Sequence, residues 1–239
     1  MSLPIRAVLT GQVRPFARGR MSAIAKQPVD GPVEVGPLGL VGDTQADGVA
    51  HGGPDMAIHH YPFEHYASWA AEIVQPDGPP GIDDLLSRPG AFGENVSTMG
   101  LTEADICVGD LWQAGSALLE VSQARQPCWK LNLRFDTADM ARRVQETGRS
   151  GWYYRVREGG RIGPGDALVL RERPWPDWPL SRLLHALYRD TMDRNVLAGI
   201  ADLAPLSASW RLLAERRLAS RAVEDWAERL QGDTSAHDG

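Results

Sequence analysis

A break rich in tryptophan and proline, at residues 174–179, most constrains what this 239-residue chain can fold into, because the composition changes across it. The residues before the break are rich in glycine and proline and contain short apolar runs. The residues after it are rich in leucine, alanine and arginine. We therefore predict two domains, residues 1–173 and 174–232, followed by a flexible polar tail at residues 233–239.

The first of these regions has the pattern of a β-rich domain. Its apolar runs at residues 5–13, 109–114, 117–122 and 167–171 predict strands. Two helices interrupt them, one after Pro62 and one from Asp136 to Gly148. Because strands and helices do not alternate, a parallel sheet is not expected. The predicted fold class is mainly β with some α (α+β), with a barrel-like core of mostly antiparallel strands.

The second region has the periodicity of a small helical module. Leucines at positions 180, 183, 184 and 187 lie at helical spacing. A second helix is predicted from residues 206–207, carrying Trp210, and residues 223–230 repeat the pattern. The basic run at residues 211–221 is interpreted as a solvated helix face. We therefore expect about three helices here.

Charge and apolar patterning exclude several classes of protein. The formal net charge is −6, so no overall positive field attracts nucleic acid, and we expect no nucleic-acid partner. The first residues lack a basic lead followed by a long apolar stretch, and no run approaches the length of a membrane span. Two cysteines in the whole chain indicate a reducing compartment. The predicted location is the cytoplasm, away from any membrane.

Cys128 is the residue whose surroundings point most strongly to chemistry. It lies between two cations, Arg125 and Lys130, and directly follows Pro127. Positive neighbours favour the thiolate, which can act as a nucleophile or as a soft metal ligand. The other cysteine, Cys107, lies between two apolar residues and fits an inert core position.

Three further segments place polar side chains beside glycines, at residues 39–47, 51–55 and 92–95. Glycine lets the backbone approach a ligand closely and present its N–H groups. Each segment alone is equally consistent with an ordinary turn. Histidines at positions 59, 60 and 65 lack the spacing of a zinc motif, so we expect no zinc hydrolase and interpret them as structural.

Taken in this order, the four segments resemble the MOSC family (molybdenum cofactor sulfurase C-terminal domain), and most closely its bacterial branch of 6-N-hydroxylaminopurine-resistance proteins. The resemblance is carried by residues 26–28, 39–47, 51–55, 92–95, 100–101, 108–110 and 121–130. It extends over Asn132 and residues 135–136, 147–148 and 151–152. The helical module is similar to the three-helix appendage of that branch. Ala124 is one departure, since the branch tends to have proline there.

The resemblance implies that Cys128 binds the molybdenum of a pterin cofactor. It implies that Lys26, Arg125 and Lys130 are candidates to neutralise the phosphate and dithiolene of molybdopterin. The remaining candidates would hydrogen-bond the pterin edge or the substrate: Gln45, His51 and Asn95. The implied activity is reduction of N-hydroxylated compounds, such as hydroxylaminopurine-type bases, from N–OH to N–H with release of water.

The electrons for such a reaction must come from outside this chain. The sequence has no nicotinamide or flavin fingerprint and no Walker loop, and two cysteines are too few for an ordinary iron–sulfur cluster. We therefore expect a separate reductase as partner, with the helical module as a candidate docking site. Two alternatives remain open: a sulfur carrier with a persulfide on Cys128, and a binding module without chemistry.

Overall fold

The computed structural model of the protein describes residues 1–46, 52–74 and 78–232. Within these residues the strands are β1 (Ser2–Pro4), β2 (Ala7–Thr10), β3 (Arg14–Ala17), β4 (Arg20–Ser22), β5 (Gln27–Pro28), β6 (Val33–Gly36), β7 (Gly39–Leu40), β8 (Ile58–Pro62), β9 (Val96–Thr98), β10 (Leu111–Ala114), β11 (Ala117–Ala124), β12 (Trp152–Glu158), β13 (Gly160–Ile162) and β14 (Ala167–Glu172). The helices are α1 (Glu64–Ile73), α2 (Ile82–Leu86), α3 (Lys130–Arg134), α4 (Met140–Thr147), α5 (Leu180–Tyr188), α6 (Arg194–Asp202), α7 (Ala208–Ser220) and α8 (Ala227–Gln231).

The main sheet has nine strands in the order β1-β14-β10-β11-β12-β8-β9-β2-β5. Its described pairs are antiparallel except β8 with β9, which run parallel. Two small sheets, β13-β6-β7 and the β3–β4 hairpin, complete the β structure of the described residues. The predicted α+β class with mostly antiparallel strands is confirmed.

The sheet curls because one short segment connects its two ends. Of the strand predicted at residues 5–13, only residues 7–10 form one, β2, near one edge of the sheet, and β1 precedes it at the other edge. Between them, Ile5 donates its N–H to the Asp166 carbonyl oxygen at 2.8 Å, on the β14 side. Arg6 donates to the Ser97 carbonyl oxygen at 2.8 Å, on the β9 side. The described strands are therefore barrel-like, although no ladder joins β1 directly to β5.

The helical module contains α5, α6 and α7; the sequence predicted α5 and α7 but not α6. Helix α6 begins at Asp193, whose carboxylate accepts the N–H groups of Asn195 and Val196, a side-chain cap. Helix α7 ends at Arg221 in the left-handed conformation (φ 57°), so residues 222–226 leave the helix. In the stretch predicted as a helix at residues 223–230, only residues 227–230 are helical, as the first part of α8.

The interior has two apolar clusters, and the second of them supports the site. The larger cluster joins the sheet to α5, α6 and α7, and includes Trp112, Trp152 and Trp210. The second contains Tyr61 of β8 and Phe92, together with side chains of α1, α3, α4 and α8. Within it the rings of Tyr61 and Phe92 are stacked, with centroids 4.0 Å apart. These aromatic contacts hold β8 against the turn at residues 92–95.

Candidate functional site

A cleft of about 610 Å³, measured out to its open mouth, lies where β8, β11 and β12 meet the loops at residues 22–26, 44–46 and 92–95. Six predicted site residues line this one cleft: Lys26, Gln45, Asn95, Arg125, Cys128 and Lys130. They come from four separate stretches of the chain, so the fold brings them together. The seventh, His51, lies outside the described residues, as does the predicted tail at residues 233–239.

Cys128 reaches the cleft from the loop that leaves β11 and enters α3. Its carbonyl oxygen accepts the N–H of Leu131 at 3.0 Å, and this bond begins the turn into the helix. The residue is 5% exposed and lines the cleft. Neither cysteine forms a disulfide in the described structure. Cys107 lies elsewhere, with its thiol directed at the Pro176 carbonyl oxygen (3.5 Å), and burial raises its pKa.

Arg125 brings a buried positive charge to the wall of the cleft beside Cys128. Its backbone N–H donates to the Gly151 carbonyl oxygen at 2.9 Å, and the residue is only 6% exposed. Its Nη1 atom is buried and has no hydrogen-bond partner among the described residues. Because a buried donor normally has a partner, this nitrogen is suited to an anionic ligand in the cleft.

Lys26 is held in the cleft by an ion pair with Asp43, and Asn95 completes the arrangement. The Asp43 carboxylate accepts the Lys26 ammonium, the Asn95 side-chain amide at 2.9 Å and the Gly11 N–H at 2.7 Å. Burial lowers the pKa of Lys26, and the negative charge of Asp43 partly offsets that shift. The charge of Lys26 is thus already balanced by the protein, which leaves Arg125 as the better anion ligand.

The Phe-Gly-Glu-Asn segment is a turn that carries three cleft residues, Phe92, Gly93 and Asn95. The buried Glu94 carboxylate accepts the N–H groups of Gly90 (2.7 Å) and Phe92 (3.1 Å) and the Tyr66 hydroxyl, and burial raises its pKa. Asn95 then donates to the Leu9 carbonyl oxygen at 3.1 Å and accepts the backbone N–H of residue 59 at 3.1 Å. Phe92 and Asn95 are thereby fixed at the cleft wall.

His59 and His60 are neighbours in β8 and point to opposite faces of the sheet, as expected for a strand. His60 faces the core, where its ring nitrogens contact the Tyr154 hydroxyl (3.0 Å) and the Thr98 hydroxyl (2.9 Å). Burial lowers the pKa of His60 from 6.5 to about 3. His59 lines the cleft, and burial together with the charge of Arg125 lowers its pKa well below the usual value.

Three functional candidates at the cleft lie outside the set predicted from sequence: Asp43, His59 and Tyr153. Asp43 falls inside a segment singled out for its glycines, but its pairing with Lys26 depends on the fold. Tyr153 lines the cleft from β12, its ring centroid 5.0 Å from that of His59, and burial raises its pKa. Strand alternation would have placed His59 and Tyr153 on one face, had β8 and β12 been predicted.

Two kinds of feature are absent from the part of the chain that the structure describes. No group of three or more histidine, cysteine, aspartate or glutamate side chains in residues 1–46, 52–74 and 78–232 is arranged to hold a metal ion. In the same residues, no helix is long and apolar enough to cross a membrane. A metal bound at Cys128 would therefore need ligands beyond the side chains of these described residues.

The fold and the cleft identify the class of protein: the chain belongs to the MOSC domain family, whose model matches residues 47–169. Residues 178–221 match the YiiM-like, 3-alpha helix domain, so the family and branch recognised in the sequence are confirmed. The chain is 40% identical to Protein YiiM of Escherichia coli (strain K12) over 225 residues, which is 94% of this chain and 97% of that protein.

A solved structure and a longer relative extend the comparison. The crystal structure of YiiM from Escherichia coli matches with a TM-score of 0.80 and 36% identity, covering 97% of this chain and all (100%) of that one. A protein named "Reductase" from Gibberella moniliformis (strain M3125 / FGSC 7600) is 38% identical over 216 residues. That match covers 89% of this chain but 37% of the longer relative.

Proposed function

We propose that this protein is a molybdenum-cofactor-dependent reductase of N-hydroxylated compounds, with hydroxylaminopurine-type bases as model substrates. The observation that carries the proposal is the position of Cys128 in one cleft with Arg125, whose buried Nη1 has no partner in the described structure. Membership of the MOSC family supports the cofactor, and a relative named "Reductase" supports the reaction type.

The residues of the cleft fit the proposed cofactor by their chemistry. The Cys128 sulfur is a soft donor suited to molybdenum, and a pterin dithiolene would bring the further ligands that the described side chains do not provide. Arg125 would bind the anionic part of the cofactor through Nη1. Lys130, half-buried at the start of α3, would add a second positive charge.

When bound, the cofactor supplies the two electrons that convert R–NH–OH and two protons into R–NH2 and water. The chain's own residues bind and orient the reactants. Phe92 and His59 give the cleft flat walls that suit a planar base. Tyr153 keeps its phenolic proton, because burial raises its pKa, and can donate a hydrogen bond. Gln45 would hydrogen-bond polar substrate or pterin atoms, whereas the Asn95 amide already bonds Leu9, Asp43 and the backbone of residue 59 and would act by fixing the cleft wall.

The electrons would reach the cleft from a separate reductase, and we place the reaction in the cytoplasm. Protein made in a host that synthesises molybdopterin should reduce 6-N-hydroxylaminopurine when an artificial low-potential donor replaces that reductase. Cys128→Ser should lower kcat by about a hundredfold or more, because oxygen is a poor match for a soft metal. Cys107→Ser, which alters the cysteine outside the cleft, should retain wild-type kcat.

Two results would contradict the proposal. One is wild-type activity in Cys128→Ser. The other is no reduction by wild-type protein together with a sulfur adduct on Cys128 in the intact mass spectrum, which would indicate a persulfide carrier.

A further inference from the structure

The end of the described chain returns to the site and holds the loop that carries Cys128. The Arg229 guanidinium donates through Nη2 to the Gln126 carbonyl oxygen and through Nε to the Pro127 carbonyl oxygen, each at 3.1 Å. The Arg229 carbonyl oxygen accepts the N–H of Trp129 at 2.8 Å. One residue therefore binds the chain on both sides of Cys128.

These three bonds matter because the loop at residues 125–129 belongs to neither β11 nor α3. Backbone carbonyl groups outside helices and sheets need other partners, and bonds from a charged donor are stronger than neutral ones. A guanidinium presents donors on three nitrogens in a rigid plane and can reach two separate carbonyl oxygens, whereas an ammonium carries its three donors on one atom. Arg229 thus restricts the backbone torsions that determine where the Cys128 sulfur points.

The segment that carries Arg229, residues 222–232, is anchored on both sides of this contact; we call it the C-terminal strap. At its beginning, Glu224 forms a two-bond ion pair with Arg217 of α7, at 2.5 and 3.0 Å. Arg217 is fully buried, not solvated as its basic run suggested, and also donates to the Leu187 carbonyl oxygen at 3.0 Å. The strap is therefore tied to the helical module.

Beyond Arg229, the strap contacts the elements that flank the cleft. The Asn132 side-chain amide donates to the Leu230 carbonyl oxygen at 2.8 Å, and the Leu230 side chain belongs to the second apolar cluster, which contains Tyr61 and Phe92. Arg18, from the turn of the β3–β4 hairpin, donates to the Gln231 carbonyl oxygen at 3.1 Å. Its guanidinium also lies 5.5 Å from the centroid of the Trp129 ring.

We propose that Arg229 is a positioning residue that fixes the Cys128 loop. Through the strap, the helical module then stabilises the active site. The effect on catalysis rests on the proposed function, because it assumes that Cys128 is the metal ligand. The effect on the loop does not, since it follows from hydrogen bonds that exist without cofactor.

The test compares Arg229→Gln and Arg229→Lys with wild type in the full-length protein. The matched control is Arg216→Ala, an exposed arginine on α7. We would measure iodoacetamide alkylation of Cys128 and Cys107 separately by peptide mass spectrometry, well below the melting temperature and without cofactor. Hydrogen exchange of residues 126–132 would be followed in the same samples, because the Trp129 amide bonds to the strap.

In Arg229→Gln, Cys128 should be alkylated about tenfold faster than in wild type, because loss of two charged hydrogen bonds lets the loop open. Arg229→Lys should fall between, and both Arg216→Ala and the rate at Cys107 should match wild type. An unchanged Cys128 rate, or an equal rise at both cysteines, would overturn the proposal. A faster Cys128 rate with no reductase activity in any sample, wild type included, would instead count against the proposed function alone.

Discussion

Asn95 donates its side-chain amide to the Asp43 carboxylate at 2.9 Å, on the same oxygen that accepts the Lys26 ammonium. The other oxygen of that carboxylate accepts the Gly11 N–H at 2.7 Å. One buried carboxylate therefore connects the segments that carry Lys26, Asn95 and Gln45, all three of which line the cleft. We therefore expect stability and ligand binding at this cleft to depend on the same group.

Asp43→Asn should destabilise the protein strongly. The substitution leaves Lys26, which is 8% exposed, without its counter-charge, and it directs an amide at two hydrogen-bond donors. Removing one partner of a buried ion pair costs about 3–5 kcal/mol, and we expect a loss in this range in urea denaturation. The exposed Asp190→Asn should change the free energy of unfolding by less than about 0.5 kcal/mol. Equal stabilities for the two variants would contradict this interpretation of Asp43.

Arg125→Met should separate stability from cofactor binding. Because Nη1 of Arg125 is buried without a described partner, an apolar side chain of similar length should leave cofactor-free protein about as stable as wild type, or up to roughly 2 kcal/mol more stable. Cofactor content after expression should fall at least about tenfold, because an anion ligand is lost. A variant with unchanged cofactor content would show that Arg125 does not bind the cofactor.

The free energy of unfolding should fall as pH drops from about 6.5 towards 3. Burial lowers the pKa of His60 from 6.5 to about 3, so between these values the unfolded chain binds a proton that the folded protein does not. The contribution is fully present above 6.5 and is lost through the acid range. One such group gives a slope of about 1.4 kcal/mol per pH unit.

His60→Gln is the variant that isolates this contribution. Its slope between about pH 4 and 6 should be smaller than that of wild type by about that amount. Glu94, whose pKa is raised by burial, gives an opposing slope above 4.5, but it is present in both proteins and cancels in the difference. Parallel stability curves for wild type and variant would contradict the buried neutral state of His60.

Gly93→Ala should damage the site more than a matched glycine substitution. Gly93 has φ 75°, and an added Cβ would lie 2.9 Å from Cγ1 of Ile24, which lines the cleft. Gly81 has φ 81° with nothing within 4 Å of an added Cβ. Gly81→Ala should cost about 1–2 kcal/mol from the backbone alone. Gly93→Ala should cost a further 1–3 kcal/mol or so from the contact, and it should lower activity.

If both glycine variants lose the same stability, the contact with Ile24 is not tight. If Gly93→Ala keeps full activity, the geometry of the turn does not limit catalysis. Thermal unfolding and the reductase assay, run on the same preparations, distinguish these outcomes.

Much of the fold was predictable because local signals agree with it. The turn before β14 and the apolar runs of β10 and β11 predict those strands to within two residues of their bounds. Gly148 ends α4 as predicted, in the left-handed conformation that glycine adopts easily. Helix α6 was missed because no leucine stripe marks it, although Asp193 caps it. Strand β8 was not predicted because two of its five residues are histidines, which do not indicate a fully buried strand.

The candidate site was predictable only as a set of residues. The ordered motifs predicted that Lys26, Asn95, Arg125 and Cys128 would belong together, and the structure places them along one cleft. The partners of those residues depend on tertiary contacts between distant segments. No sequence pattern indicates that Asp43 forms an ion pair with Lys26. The contact between Arg229 and the carbonyl groups before Cys128 spans about a hundred residues and has no local signal.

The molybdenum content of purified protein tests the central claim most directly. Wild type, Cys128→Ser and Cys107→Ser would be expressed with cofactor biosynthesis intact, and wild type also in a host unable to make molybdopterin. We predict equimolar molybdenum in wild type and Cys107→Ser, and almost none in Cys128→Ser or in wild type from the deficient host. Equal molybdenum in Cys128→Ser and wild type would contradict the assignment of this cysteine as the metal ligand.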